Sequence, residues 1–138
     1  MNIDNLIKNY KSKQELGHSI LYQRLDNIIV SVASDNHTYS IADIQENYSV
    51  IKRFAGQNKA FILNIVGENT SVEAEVREFS SKGPHADYVD TEVFVINSIA
   101  QKLLANFYLK INKPIVRTKF FNKPSEAEKW LIGIKSKR

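Results

Sequence analysis

From Glu92 to Trp130 the chain alternates two β-forming runs with two helical patterns, and this alternation limits the fold more than any other feature. EVFVI is followed by a serine-opened helical stretch, then by VRTKFF, then by a stretch with Ala127, Trp130, Leu131 and Ile134 at helical spacing. Strands joined through a helix pair in parallel by right-handed crossovers, so the unit belongs to a sheet with helices packed on it. Ser98 is placed to cap the first of these helices, which should run to about Lys110, and Ser125 with Glu128 resembles a capping box for the second. In the second strand, Val116, Thr118 and Phe120 share one face.

The same logic extends upstream. SILYQRL and IIVSVA flank Asp26-Asn27, residues that tolerate the positive φ of a tight turn, which predicts an antiparallel hairpin. Ile28, Val30 and Val32 form a wholly apolar face, whereas Ile29, Ser31 and Ala33 form a mixed one. Ser40 with Asp43 is a capping signature, and Ile41, Ile44, Tyr48, Ile51 and Ala55 predict a helix over 41–55. FILNIV, ended by Gly67, reads as a central strand. Thr70 with Glu73 repeats the capping signature before a short acidic helix that Gly83-Pro84 stops. The expected order is β-β-α-β-α-β-α-β-α: an α/β domain over 18–138 with a mixed sheet of about five strands, an N-terminal antiparallel hairpin and about four helices. Residues 1–17, polar and rich in Asn and Lys, read as a tail or short helix.

A chain of 138 residues has the size of one domain, and 43% apolar residues are enough to build its core. No apolar run approaches the ~18 residues of a membrane span, and the start lacks the apolar centre of a secretion signal, which points to the cytoplasm. The absence of cysteine excludes disulfides, thiolate nucleophiles and thiolate metal sites. Charge is unevenly distributed. Residues 1–98 hold 9 Lys/Arg against 13 Asp/Glu, and residues 99–138 hold 10 against 2. Such polarity suits an acidic partner or association between opposite faces.

Site chemistry is sparse. His18, His37 and His85 are far apart in sequence, with no second ligand at helical spacing, so no metal site is expected. His85 with Asp87 and Asp90 is the one mixed cluster, in a loop where such residues usually form solvated turns. No glycine-rich phosphate loop or G-x-S-x-G elbow occurs, so no cofactor and no catalytic residue is assigned. Thr70 and Ser71, expected at a helix N-terminus, are the candidate anion or phospho-regulatory position. The helix SIAQKLLANFYLKIN carries more apolar surface than one sheet covers. Leu104, Phe107, Tyr108, Lys110, Lys113 and Arg117 are therefore the candidate interaction or ligand surface, apolar in the middle and basic at its rim. Nucleic acid is disfavoured, because no basic strand carries spaced stacking aromatics.

The stretch EVFVINSIAQKLLANFYLKINKPIVRTKFFNKPSEAEKWL resembles the small bacterial STAS-like (SpoIIAA-like) proteins, the superfamily that contains anti-sigma-factor antagonists. The resemblance rests on Ser98, on Asn106 through Leu109, on Ile111, Asn112 and Pro114, on Phe120 or Phe121, and on Ala127, Trp130 and Leu131. It implies a STAS-like fold, no enzyme activity, and a role in protein–protein signalling or in holding a small apolar ligand. With the apolar helix face and the charge split, the leading expectation is a regulatory module that binds a protein partner, including a second copy as a homodimer; the alternative, from the same face ringed with lysines, is a carrier or sensor of an apolar, lipid-like and anionic small molecule. The D-x-S-G-type phosphorylation motif of signalling members is replaced here by Glu68-Asn69-Thr70-Ser71.

Overall fold

The computed structural model describes residues 2–138. A six-stranded mixed sheet runs through the middle of the molecule, its strands lying side by side in the order in which they follow along the chain. Its strands are β1 (Tyr10–Glu15), β2 (Ser19–Arg24), β3 (Ile28–Ala33), β5 (Ala60–Ile65), β7 (Val89–Val95) and β8 (Arg117–Phe121). The first three pair antiparallel. From β3 onward every neighbour is parallel. Two short strands, β4 (Thr38–Tyr39) and β6 (Ser71–Val72), form a separate parallel ladder.

The helices are α1 (Asp4–Ile7), α2 (Ile41–Ala55), α3 (Ala74–Ser81), α4 (Ile99–Phe107) and α5 (Pro124–Ser136). Three of them, α2, α3 and α4, are the crossovers between consecutive parallel strands. Crossovers of one hand that step in one direction along the sheet all fall on the same face. The opposite face is covered by Leu6 of α1 and by Ala127 and Leu131 of α5, which pack on Val30, Leu63, Val93 and Val95. Under α2 the core is Ile29, Val50, Ile51, Ile62, Val89 and Val116. The α/β class, the N-terminal hairpin and the mixed sheet agree with the sequence reading, with six strands in place of five and five helices in place of four.

The local signals that hold are those in which a side chain meets the backbone directly. Asn27 takes φ 69° in the hairpin turn. Ser40 and Asp43 form the reciprocal capping box of α2, and Ser98 accepts the Gln101 N–H at the start of α4. Beyond Phe107 the chain widens into one π-helical turn, Tyr108–Asn112, closed by Lys113 in the left-handed region at φ 53°.

Three expectations are corrected. Residues 10–15 are not a tail but the edge strand β1, invisible to periodicity because the sheet fixes its backbone while most of its side chains stay exposed. Lys11 and Lys13 guard that edge against pairing with another chain. Thr70 does not cap α3, which starts at Ala74 with Glu73 at the cap position. Residues 71–72 are taken by β6 instead, and the buried Thr70 hydroxyl donates to the Ser34 carbonyl. Ser125 does not cap α5, because Pro124 already occupies the first turn behind Lys123 and its fixed φ starts the helix there.

Candidate functional site

In the crossover-covered face, residues in register across four strands form two rows. Ile29, Ile62, Glu92 and Thr118 make one; Ser31, Asn64, Phe94 and Phe120 make the next. Above the second row, towards the carboxyl ends of the parallel strands, the helices do not close on the sheet. A cavity of about 190 Å³ lies there. Such an end of an open α/β sheet is the usual place for a ligand. The volume exceeds the ~150 Å³ of an apolar cavity that takes up benzene.

Each wall comes from a different element. The floor is Ile62, Asn64, Glu92, Phe94 and Phe120; α2 gives Ile44, Asn47, Tyr48 and Ile51; α3 gives Val76, Arg77 and Ser80; α4 gives Gln101, Leu104, Ala105 and, at its π-turn, Tyr108. The rim is held by backbone contacts between loops. Glu68 N–H reaches the Asp35 carboxylate and Asn36 N–H reaches Glu68 O. Gln101 ties α4 to this rim by donating to the carbonyls of Gly67 and Thr70. Gly67 is required here, since a Cβ would lie 2.7 Å from Ser34 O and 2.6 Å from the Thr70 hydroxyl.

The lining is apolar except for a few unusual polar groups. Glu92 is 4% exposed, and its carboxylate lies 3.0 Å from Nε2 of the buried His85. The His85 ring stacks on Tyr48 at 4.4 Å. Burial, reinforced by the Glu92 charge, drives the Tyr48 and Tyr108 phenols well above their ordinary range, so both are neutral donors. Arg77 uses one terminal nitrogen on Val72 O, while its buried Nε has no partner among the described residues. Asn47 Oδ1 is equally unmatched. Both ring nitrogens of His85 and Asn112 Oδ1 also lack a hydrogen-bond partner among the described residues.

The candidate surface read from the sequence divides in two. Leu104 and Tyr108 turn inward and line the cavity. Phe107 stays outside at 46% exposure, joined by Lys110, Lys113 and Arg117, all exposed. Ser71 sits half-buried at the cavity rim, and its hydroxyl lies 3.2 Å from that of Thr38. With α3 starting three residues later, neither Thr70 nor Ser71 offers a helix N-terminus to an anion. His85 is not grouped with Asp87 and Asp90 as the sequence suggested: Asp87 is exposed and Asp90 pairs with Arg138. Nor do the three histidines stand apart, because His18 and His37 stack at 5.8 Å beside Asp43. The groups missed by sequence reasoning, Glu92, Arg77 and Asn47, come from three elements. The one local hint was a carboxylate opening an otherwise apolar strand run.

The structure is an α/β domain with a partly open cavity at the carboxyl ends of its parallel strands. Over residues 21–135 the chain matches the family described as Domain of unknown function (DUF7793), and it belongs to that family. No curated protein and no solved structure matches it. No helix among the described residues is long and apolar enough to cross a membrane.

Proposed function

We propose that this protein is a non-enzymatic carrier or sensor that holds a small, largely apolar molecule with an anionic end in the cavity between the sheet and α2–α4. The observation that carries the reading is a largely apolar cavity of about 190 Å³ with the Arg77 side chain in its wall. An arginine in such a wall matches a carboxylate, which accepts from the guanidinium in a charge-assisted bond. Glu92 opposes a second negative charge deep in the site, so the anionic end sits at Arg77 and the apolar body lies over Phe94, Leu104 and Phe120. The volume suits a monocyclic or short-chain acid better than a full lipid. This is the small-molecule half of what the STAS-like resemblance implies.

Titration of the protein with phenylacetate, phenylbutyrate and octanoate, followed by amide shifts, tests the reading. Shifts confined to residues around Asn64, Phe94, Leu104 and Tyr108 are expected, with Arg77→Gln weakening the acids about tenfold and leaving the matching amides unchanged. No shift at saturating acid, or shifts at surface lysines alone, would refute it.

A second reading concerns the outer face of the same helix. Ile99, Leu103, Phe107 and Ile111, four residues apart, are 80%, 65%, 46% and 64% exposed, with Ile115 alongside at 69%. We propose that this ridge contacts a second copy of the chain, as the surplus apolar surface of SIAQKLLANFYLKIN leads one to expect. Contiguous apolar surface of this kind marks interaction sites on soluble domains.

A further inference from the structure

We propose that His18, Asp43 and Glu46 form a binding site for a divalent transition-metal ion of the zinc type, separate from the cavity. His18 Nε2, one Asp43 oxygen and one Glu46 oxygen lie within 4.8 Å of one another. Nε2 stands 3.2 Å from Glu46 Oε1 and 3.8 Å from Asp43 Oδ1, spacings that a single ion bound at about 2.0–2.2 Å to each can bridge.

The second observation concerns which nitrogen of His18 is turned to the carboxylates. The Tyr39 hydroxyl donates to the His18 carbonyl, which uses its only proton. Ser19 Oγ, 2.7 Å from that hydroxyl, must therefore donate to it. The Ser19 oxygen is left as an acceptor, so His18 Nδ1, at 2.9 Å, is the donor. With Nδ1 engaged by Ser19, Nε2 is the nitrogen that faces the two carboxylates. An imidazole nitrogen and two carboxylate oxygens brought to one spot are a donor set that a divalent cation can share. All five groups of this chain, His18 side chain and carbonyl, Ser19, Tyr39 and Asp43, are buried or half-buried.

The surroundings are those of a metal site. A ligating imidazole commonly donates its other N–H to an oriented acceptor, as Nδ1 does to Ser19. Asp43 is fixed through its other oxygen, which accepts from His37 Nε2 at 2.8 Å and from the Ser40 N–H at 3.1 Å. Its Oδ1 is left for the ion. Glu46 lies one turn further along α2, three residues after Asp43, so both carboxylates project from one helix face towards β2. One imidazole with two carboxylates suits zinc and its first-row neighbours, whereas magnesium and calcium take all-oxygen sets. Three protein ligands leave the fourth position of a tetrahedral ion to water.

Calorimetric titration of the metal-stripped full chain with zinc chloride, with magnesium chloride in parallel, tests the site. One zinc per chain and no magnesium uptake are expected. Glu46→Gln, at an exposed helical position that the fold does not depend on, should weaken zinc at least tenfold, and His37→Gln should weaken it less. Asp87→Asn, in a distant exposed loop, should leave it unchanged. In the nitrogen-15 spectrum, zinc should move His18 Nε2 and leave Nδ1 protonated. Absence of zinc binding at millimolar metal, or equal binding by wild type and Glu46→Gln, would overturn the proposal. So would a metal-free His18 protonated on both nitrogens and unmoved by zinc.

Discussion

His85 Nε2 lies 3.0 Å from a carboxylate oxygen of Glu92, with the two side chains only 1% and 6% exposed. The pair joins the loop after α3 to the centre of β7, under the stacked ring of Tyr48. Removing one member of a buried pair strands the other without a partner, which commonly costs about 3–5 kcal/mol. Replacing both by apolar residues leaves nothing stranded. His85→Leu should therefore be strongly destabilising, and the double variant His85→Leu, Glu92→Leu should recover a large part of that loss. Urea midpoints measure both. A double variant less stable than the single one would contradict the pairing.

The buried phenols give the protein an alkaline limit. Burial, helped by Glu92, raises Tyr48 and Tyr108 above their ordinary value of about 10. Below that pH the folded and unfolded states both hold these protons, and the tyrosines contribute no pH dependence. Above it the unfolded chain loses them while the folded chain keeps them, so stability falls as pH rises. The expected slope is up to about 1.4 kcal/mol per pH unit for each tyrosine. Tyr48→Phe and Tyr108→Phe should each flatten the curve between pH 10 and 11.5, with the double variant flattest.

The ridge on α4 predicts a concentration-dependent dimer. Leu103→Glu and Phe107→Glu each place a charge in its middle, where burial against a second copy is expensive. Sedimentation of the wild type at several hundred micromolar should show dimer, and both variants should remain monomeric with unchanged thermal midpoints. A wild-type monomer at that concentration would remove this reading and leave the cavity unaffected.

How far the sequence could be read depended on whether the deciding interaction was local. Ser40 with Asp43 and Ser98 with Gln101 are contacts within four residues, so α2 and the start of α4 were legible. Thr70 with Glu73 has the same spacing, yet Thr70 bonds to Ser34, 36 residues away, and the chain extends into β6. Strand β1 is held by backbone bonds to β2, and YKSKQE carries no apolar alternation to announce it. The excess apolar surface of SIAQKLLANFYLKIN was legible, but its division was not. Which of Leu104 and Phe107 faces the sheet depends on how α4 rotates against β7 and α3. The polar lining of the cavity was hidden for the same reason: the register Asn64↔Phe94↔Phe120 belongs to the sheet, not to any one segment.

Native mass spectrometry of the protein purified from its own host tests the cavity's role as a binding site most directly. Wild type should carry a non-covalent adduct of the mass of a small organic acid, released under mild collisional activation. Ala105→Phe, which fills the chamber from the α4 wall, should be free of it while keeping its fold by circular dichroism. A bare wild-type mass, or an adduct carried equally by Ala105→Phe, would contradict the proposal.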